Sequence, residues 1–157
     1  MRIEVRAQAR LHFGFLDLSG EQGRRFGGMG VSIDGPRLVL RMEAAKKLLV
    51  EGEQAERVEI LASRFFEAVE VRPEARIRVV ETIPEHVGLG SGTQLALAVA
   101  SGLTRLHDLD LSPEEQCSLM NRARRSGVGY HLFQRGGFVV EGGHTVEGQK
   151  LGEAPPL

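Results

Sequence analysis

The sequence predicts an α+β fold in which helices lie on one face of a single sheet. Three observations carry that expectation. Residues 2–43 are dominated by strand-like alternation of apolar and polar side chains, interrupted by turn residues. A helical stripe and a further strand come next, and a glycine-rich turn then leads straight into an apolar helix. Runs of strands interrupted by helices, rather than regular alternation of the two, favour helices gathered on one side of the sheet.

The elements follow in order. Residues 2–18 read as one long strand or two paired ones, with Ile3, Val5, Ala7, Ala9 and Leu11 on one face. A polar turn over 19–25 precedes strands at 27–34 and 37–43, which Asp34-Gly35-Pro36 separates as a turn. Leu38, Leu40 and Met42 alternate with Val39 and Arg41, and a short strand covers 47–51. From Gln54 to Glu70 the residues Val58, Leu61, Ala62, Phe65, Phe66 and Val69 form one helical stripe, closed by Pro73. Ala75–Thr82 is a strand with Ile77 and Val79 facing opposite to Arg76 and Arg78. The helix expected over 93–107 is mostly Ala, Leu and Val, and so is buried on most sides. Ser112-Pro113-Glu114-Glu115 marks a helix start with a capping box, and that helix is expected to run to Arg124. A last strand lies within 135–143, bounded by glycine pairs. Residues 1–144 thus make one domain, and 145–157, rich in Pro and Gly, a flexible tail.

Composition narrows the function. A chain of 157 residues is one ordinary domain, able to bury about two-thirds of its unfolded surface. With 20 basic and 21 acidic residues the net charge is −1, which argues against a dedicated nucleic-acid surface while allowing a local cationic pocket. The single Cys117 excludes an internal disulfide framework and a thiolate zinc cluster, and reads as a packing residue. No apolar run reaches the roughly 18 residues that span a bilayer. The alternating start Met1–Arg6 lacks the core of a signal peptide, so a cytoplasmic protein is expected.

The chemistry centres on Pro84-Glu85-His86-Val87-Gly88-Leu89-Gly90-Ser91-Gly92-Thr93, a glycine-rich turn at a helix N-terminus. Such a turn is a phosphate cradle, because glycine lets the backbone approach and the helix start presents free N–H groups and a favourable dipole. Its spacing matches neither of the two commonest nucleotide-binding glycine patterns. Ser91 and Thr93 offer hydroxyls to a phosphate oxygen or a hydrated magnesium ion, with helix capping as the alternative. Three other segments can meet there. Arg10, His12 and Asp17 interrupt an apolar strand and call for partners or a cleft, although a solvated sheet face accounts for the first two and a turn for Asp17. Arg24 and Arg25, beside Gly27 and Gly28, suit a carboxylate or phosphate clamp or a solvated loop. Arg122, Arg124, Arg125 and Ser126 gather where a helix is expected to end, a place that itself favours cations. His86 lies inside the cradle, and the five histidines show no metal-ligand spacing.

The cradle reads P-x-x-x-G-L-G-S and is similar to the central motif of the GHMP small-molecule kinase superfamily. The ordered series Arg10-Leu-His-Phe-Gly-Phe-Leu-Asp17, Gly23-Arg-Arg-Phe-Gly-Gly-Met-Gly30, Gly88-Leu-Gly-Ser-Gly-Thr93, Arg124-Arg-Ser-Gly-Val-Gly129 and Gly136-Gly-Phe-Val-Val-Glu-Gly-Gly143 resembles, more narrowly, the β-ribofuranosylaminobenzene 5′-phosphate synthase family. The resemblance implies the fold of the N-terminal GHMP domain, including a left-handed β-α-β crossover. It also implies a reaction that joins 5-phosphoribosyl 1-diphosphate to 4-aminobenzoate or 4-hydroxybenzoate, releasing carbon dioxide and pyrophosphate, in tetrahydromethanopterin biosynthesis. On this resemblance Gly88, Leu89, Gly90, Ser91, Gly92 and Thr93 bind phosphate with Mg2+ at Ser91 and Thr93. Arg10, Arg25, Arg124, Arg125 and Ser126 bind substrate, and Asp17, His12 and Arg24 serve catalysis.

The alternatives are a GHMP-type kinase binding ATP and a non-catalytic domain. The kinases read G-L-G-S-S-A where this chain has Gly92 and Thr93. Their later S-G-[IV]-D segment resembles Ser126-Gly127-Val128-Gly129, which puts glycine in place of the carboxylate and weakens the kinase reading. Members of the synthase family resemble two-domain chains about twice this length, so the C-terminal GHMP domain is expected to be absent here. A homo-oligomer or a second subunit is then expected to supply the missing half.

Overall fold

In the computed structural model, residues 1–21 and 23–146 are described. The chain runs β1 (Arg2–Asp17), β2 (Arg24–Ala44), β3 (Leu49–Gly52), α1 (Ala55–Val69), β4 (Ala75–Glu81), α2 (Ser91–Leu106), α3 (Pro113–Leu119), α4 (Val128–Arg135), β5 (Phe138–Glu141) and β6 (His144–Thr145). The sheet order is β1-β2-β4-β3, with β5 and β6 pairing further along the long β2. Among the described residues only β3 and β4 pair in parallel, joined across α1 as a β-α-β unit.

Amphipathic patterning builds the core. The α1 stripe buries Val58, Leu61, Ala62, Phe65 and Phe66 as expected, against Leu40 and Met42 of β2 and Ile77 of β4. Apolar α2 is buried from Gln94 to Ala100. It comes close to the sheet because Gly102 has no side chain: a β-carbon there would lie 2.5 Å from Met42 Sδ and 3.2 Å from Val5 Cγ2. Arg76 and Arg78 point away from this core and pair with Glu43 and Glu51. Cys117 is buried, a packing residue as expected.

Several expectations are corrected. Asp34-Gly35-Pro36 does not split two strands; β2 is continuous, and these residues bulge from the ladder where the register jumps from Gln8↔Arg37 to Ala9↔Ile33. Proline has no N–H to give to a ladder, and a bulge removes that demand. The buried face of β1 ends at Ala9, since Leu11 is 42% exposed and Phe13 58%. The helix that starts at Ser112 has its capping box but stops at Leu119 rather than Arg124, and Asn121 and Ala123 take left-handed φ values of 56° and 59°. The basic cluster therefore occupies a turn between α3 and α4, not a helix C-terminus. Helix α4, unexpected from its glycines, forms where Val128 and Leu132 pack on Val139. Thr145, placed in the tail, belongs to β6 opposite Arg24, and the rest of that tail, 147–157, lies outside the described residues.

Candidate phosphate-binding site

The start of α2 is open. Its N-cap is Gly90, with a left-handed φ of 74°, and no side chain caps the helix. Ser91 and Thr93 therefore do not act as its caps, and the helix start and its dipole remain available to an anion. Gly88 (φ 81°) shapes the approach to this turn. The turn is fixed from the side by β1, whose Arg10 N–H donates to Leu89 O at 3.1 Å.

Arg10 then lays its side chain across the cradle. A β-carbon on Gly90 would lie 2.7 Å from Arg10 Nε and 3.0 Å from Cζ. One on Gly129, in the first turn of α4, would lie 3.2 Å from the same Nε and 3.1 Å from Thr93 Cγ2. The guanidinium thus threads between two glycines from distant parts of the chain, next to Thr93. Its Nε is buried without a hydrogen-bond partner among the described residues, and burial pulls its pKa below the ordinary value.

His12 stands one strand step further along. Its Nε2 is 3.4 Å from Ser126 Oγ, which also accepts from Val128 N–H at 3.2 Å. Burial, then the nearby Arg10 charge, lowers the His12 pKa and favours the neutral imidazole. Two glycines of β2 make room on this side. A β-carbon on Gly28 would meet His12 Nε2 at 3.0 Å, and one on Gly30 would overlap Val128 Cγ1.

Helix α4 is held from two directions. Gln94 Nε2 donates to Gly129 O at 2.9 Å. Tyr130 Oη donates to Glu114 Oε1 at 2.6 Å, which lowers the Glu114 pKa, while burial and then Glu114 raise that of Tyr130. On the other flank of the cradle Arg57 reaches within 3.8 Å of the Gly92 β-carbon position, paired with Glu85 at 2.5 Å.

The structure therefore brings Arg10, His12, Ser126, Gly90, Ser91 and Thr93 together, and leaves others apart. Asp17 Oδ1 accepts from Ser19 N–H, Ser19 Oγ and Gly20 N–H, so this oxygen organises the β1–β2 turn. Seven residue steps along β1, about 23 Å at about 3.3 Å each if fully extended, separate Asp17 from Arg10. Arg24 is spread over carbonyls, donating to Gly142 O at 2.6 Å and Gly143 O at 2.5 Å. It clamps β2 to the segment after β5, and Arg25 lies exposed beside it. Asp17 and Arg24 thus make these contacts within the β1–β2 hairpin end and the segment after β5, not with the glycine turn. Arg124 and Arg125 are exposed in the turn before Ser126, and Gly88 is exposed on the cradle rim. His86 projects to solvent, its side chain 94% exposed.

Sequence reasoning missed Arg57, whose glycine neighbour was visible but whose helix gave no hint of its direction. It also missed Glu141, which is fully buried, with Oε2 accepting from Gly143 N–H at 2.7 Å and Oε1 lacking a hydrogen-bond partner among the described residues. Alternation with buried Val139 was the available signal. Among the described residues no three His, Cys, Asp or Glu side chains cluster to hold a metal ion. The hydroxyls of Ser91 and Thr93 suit only a magnesium ion carried mainly by phosphate oxygens and water.

Comparisons with known proteins place the chain in a family. The profile of the family described as GHMP kinases N terminal domain matches residues 55–134. The beta-ribofuranosylphenol 5′-phosphate synthase of Archaeoglobus fulgidus is 35% identical over 150 residues, covering 94% of this chain and 47% of the relative. The synthase of the same name from Methanothermobacter thermautotrophicus is 32% identical over 151 residues, covering 90% and 46%. The chain spans about half the length of these curated relatives. Among solved structures, a putative sugar kinase from Campylobacter jejuni aligns with TM-score 0.67 at 11% identity, over 89% of this chain and 54% of the other. The mevalonate kinase of Methanococcus jannaschii aligns with TM-score 0.64 at 10% identity, over 88% and 52%. At such identities these structures speak for the fold alone.

Proposed function

The chain belongs to the GHMP kinase N-terminal-domain family, and from that premise we propose that it carries the diphosphate site of a β-ribofuranosylphenol 5′-phosphate synthase. The observation that carries this reading is the uncapped start of α2 with the Arg10 guanidinium, its Nε without a hydrogen-bond partner among the described residues, laid across it. An oxyanion that gains charge as a bond breaks is stabilised there by preorganised N–H groups and a partly desolvated cation.

In the proposed reaction the bond between ribose C1 and the diphosphate oxygen breaks, and pyrophosphate leaves with the electron pair. The ring carbon of the aromatic acid that bears the carboxylate attacks C1. The bond to the carboxylate then breaks, its electrons restore aromaticity, and carbon dioxide departs. The names of the relatives specify a phenol product, which favours 4-hydroxybenzoate over 4-aminobenzoate as the acceptor. Within this chain, the α2 amides and Arg10 hold the diphosphate, and the hydroxyls of Ser91 and Thr93 are the groups that would meet a magnesium ion carried by it. His12, kept neutral and placed against Ser126, accepts or donates a hydrogen bond without adding charge beside Arg10. Magnesium bound to the diphosphate would neutralise charge on the leaving group.

A cytoplasmic location is part of the same proposal; no helix among the described residues is long and apolar enough to cross a membrane. So is a covering polypeptide, corresponding to the other half of the longer relatives, over the exposed row Leu11, Phe13, Phe138 and Val140.

The test is calorimetric titration of the chain with 5-phosphoribosyl 1-diphosphate and magnesium beside ATP and magnesium. Tighter binding of the ribosyl diphosphate is expected. Preference for ATP would favour a kinase despite Gly129, and silence with both ligands would favour a non-catalytic domain.

A further inference from the structure

We infer that Phe15 and Phe26, continued by the ring of His12, form a ledge for the flat ring of an aromatic acid, so that these two phenylalanines select an aromatic acceptor. The inference rests on reading the chain as part of a ribosylating synthase, and adds the acceptor side of the site.

The ledge is assembled along β1. His12 and Phe15 are three residues apart and would point to opposite faces of a regular strand. The ladder breaks between them, where Gly14 takes a positive φ of 98°, and both rings come to one face. Their centroids lie 5.5 Å apart in an edge-to-face contact, with planes at 73°. Phe26, opposite Asp17 in the ladder, continues the row, its ring centroid 5.5 Å from that of Phe15 and tilted by 52°. His12 fixes which face this is. Its Nε2 meets Ser126 Oγ, and a β-carbon on Gly28 would touch both that nitrogen and Val128 of α4. The ledge thus begins two residues beyond Arg10 and runs away from the cradle on the helix-bearing side of the sheet.

Folding alone gives no reason for these rings to stand there. Phe26 has a φ of 74°, a conformation that bulky side chains seldom adopt and that glycine adopts freely. Backbone held against its preference in this way clusters at ligand sites. Burial is not what the strain obtains, since Phe26 is only half-buried and Phe15 is exposed. Nor do the two rings belong to the outer row that contains Leu11 and Phe13, because strand alternation puts those residues on the face opposite His12. Aromatic rings at such separations attract a further ring through their faces and edges, beyond the area it covers. An aromatic acid seated on the ledge with its carboxylate end toward the cradle would present the ring carbon that attacks ribose C1. A saturated acid of the same charge covers similar area and lacks those ring contacts.

The test uses the 157-residue chain with magnesium, as wild type, Phe15→Leu, Phe26→Gly and Phe13→Leu, each first shown to melt cooperatively. Glycine at 26 suits the left-handed backbone, so lost binding there is not lost folding. Affinities for 4-hydroxybenzoate and for 4-hydroxycyclohexanecarboxylate are read by calorimetry, and the His12 ring C–H signals by NMR. The wild type is expected to bind the benzoate about three- to tenfold more tightly than its saturated counterpart. The bound ring is expected to shift the His12 signals. Phe15→Leu and Phe26→Gly are expected to lose the preference, and Phe13→Leu to keep it. If one of the first two does not fold, the other decides. No binding of the benzoate by the wild type, equal binding of the two acids, or an unchanged preference in a folded Phe15 or Phe26 variant overturns the inference. The same loss in Phe13→Leu also overturns it. Benzoate binding that depends on both rings, with ATP preferred to 5-phosphoribosyl 1-diphosphate, keeps the inference and overturns the synthase reading. Preference for the ribosyl diphosphate, with benzoate binding indifferent to both rings, does the reverse.

Discussion

The side-chain amide of Gln94 donates to the main-chain carbonyl of Gly129 at 2.9 Å, with both residues buried. This bond ties the first turn of α4 to the first turn of α2, and so fixes the gap through which Arg10 passes. Gln94→Leu keeps the volume and removes the donor. A loss of about 1–3 kcal/mol is expected in urea unfolding, because a buried acceptor is left short of a partner. Weaker pyrophosphate binding is expected with it. Unchanged stability would mean that the bond adds nothing beyond packing.

Gly30→Ala tests the packing beneath α4. The added methyl would overlap Val128 Cγ1 and approach Leu11 O at 2.8 Å. One neighbour is a stiff β-branched side chain and the other is backbone, so neither yields readily. Overpacking of this kind costs about 1–3 kcal/mol, read as a lower urea midpoint with an unchanged slope.

His12 should titrate below an ordinary histidine, since burial and then the Arg10 charge disfavour its protonated form. Arg10→Gln removes the second cause and is expected to move the titration upward, followed by the ring C–H signals in NMR. The sign of the linkage is set by the unfolded chain, which takes up the proton first as pH falls. This contribution to stability is therefore complete above the ordinary histidine pKa, and is lost as pH drops through it toward the lowered folded value. A His12 titration indifferent to Arg10→Gln would show that the two side chains do not interact.

Cys117 is expected to be inert in the folded protein. Burial pushes its thiol up to about 11, so the reactive thiolate is scarce at pH 8. Iodoacetamide should modify it slowly under native conditions and quickly in denaturant. Comparable rates in both would show that the helix carrying it opens readily.

Much of the fold was legible because its determinants are local. The α1 stripe, the Ser112–Glu115 capping box and the apolar run of α2 each announce themselves within a few turns. The cradle was legible for the same reason, as glycine spacing at a helix start is a local pattern. The unbroken course of β2 and the formation of α4 were not, because partner strands and the Val128–Leu132–Val139 contact decide them. Gly129 read as an absent carboxylate, and only the path of Arg10 shows what occupies the space beside it. Asp17 seemed chemical because charge in an apolar segment asks for a partner, and Arg24 because paired arginines beside glycines suit an anion clamp; their partners proved to include turn amides and carbonyls.

The bond from Arg10 N–H to Leu89 O bears on the order of events during folding. It is the tie between the edge strand and the cradle loop, and its two ends are remote along the chain. Contacts of that kind form late, after the loop between them has been closed, and edges fray first. The amides of the cradle should therefore exchange with deuterium well before those of Leu97–Leu103 in the middle of α2, although both belong to one continuous segment. A bound diphosphate would slow the first set and leave the second nearly unaltered, so that ligand binding is also the last step in the chain's own assembly.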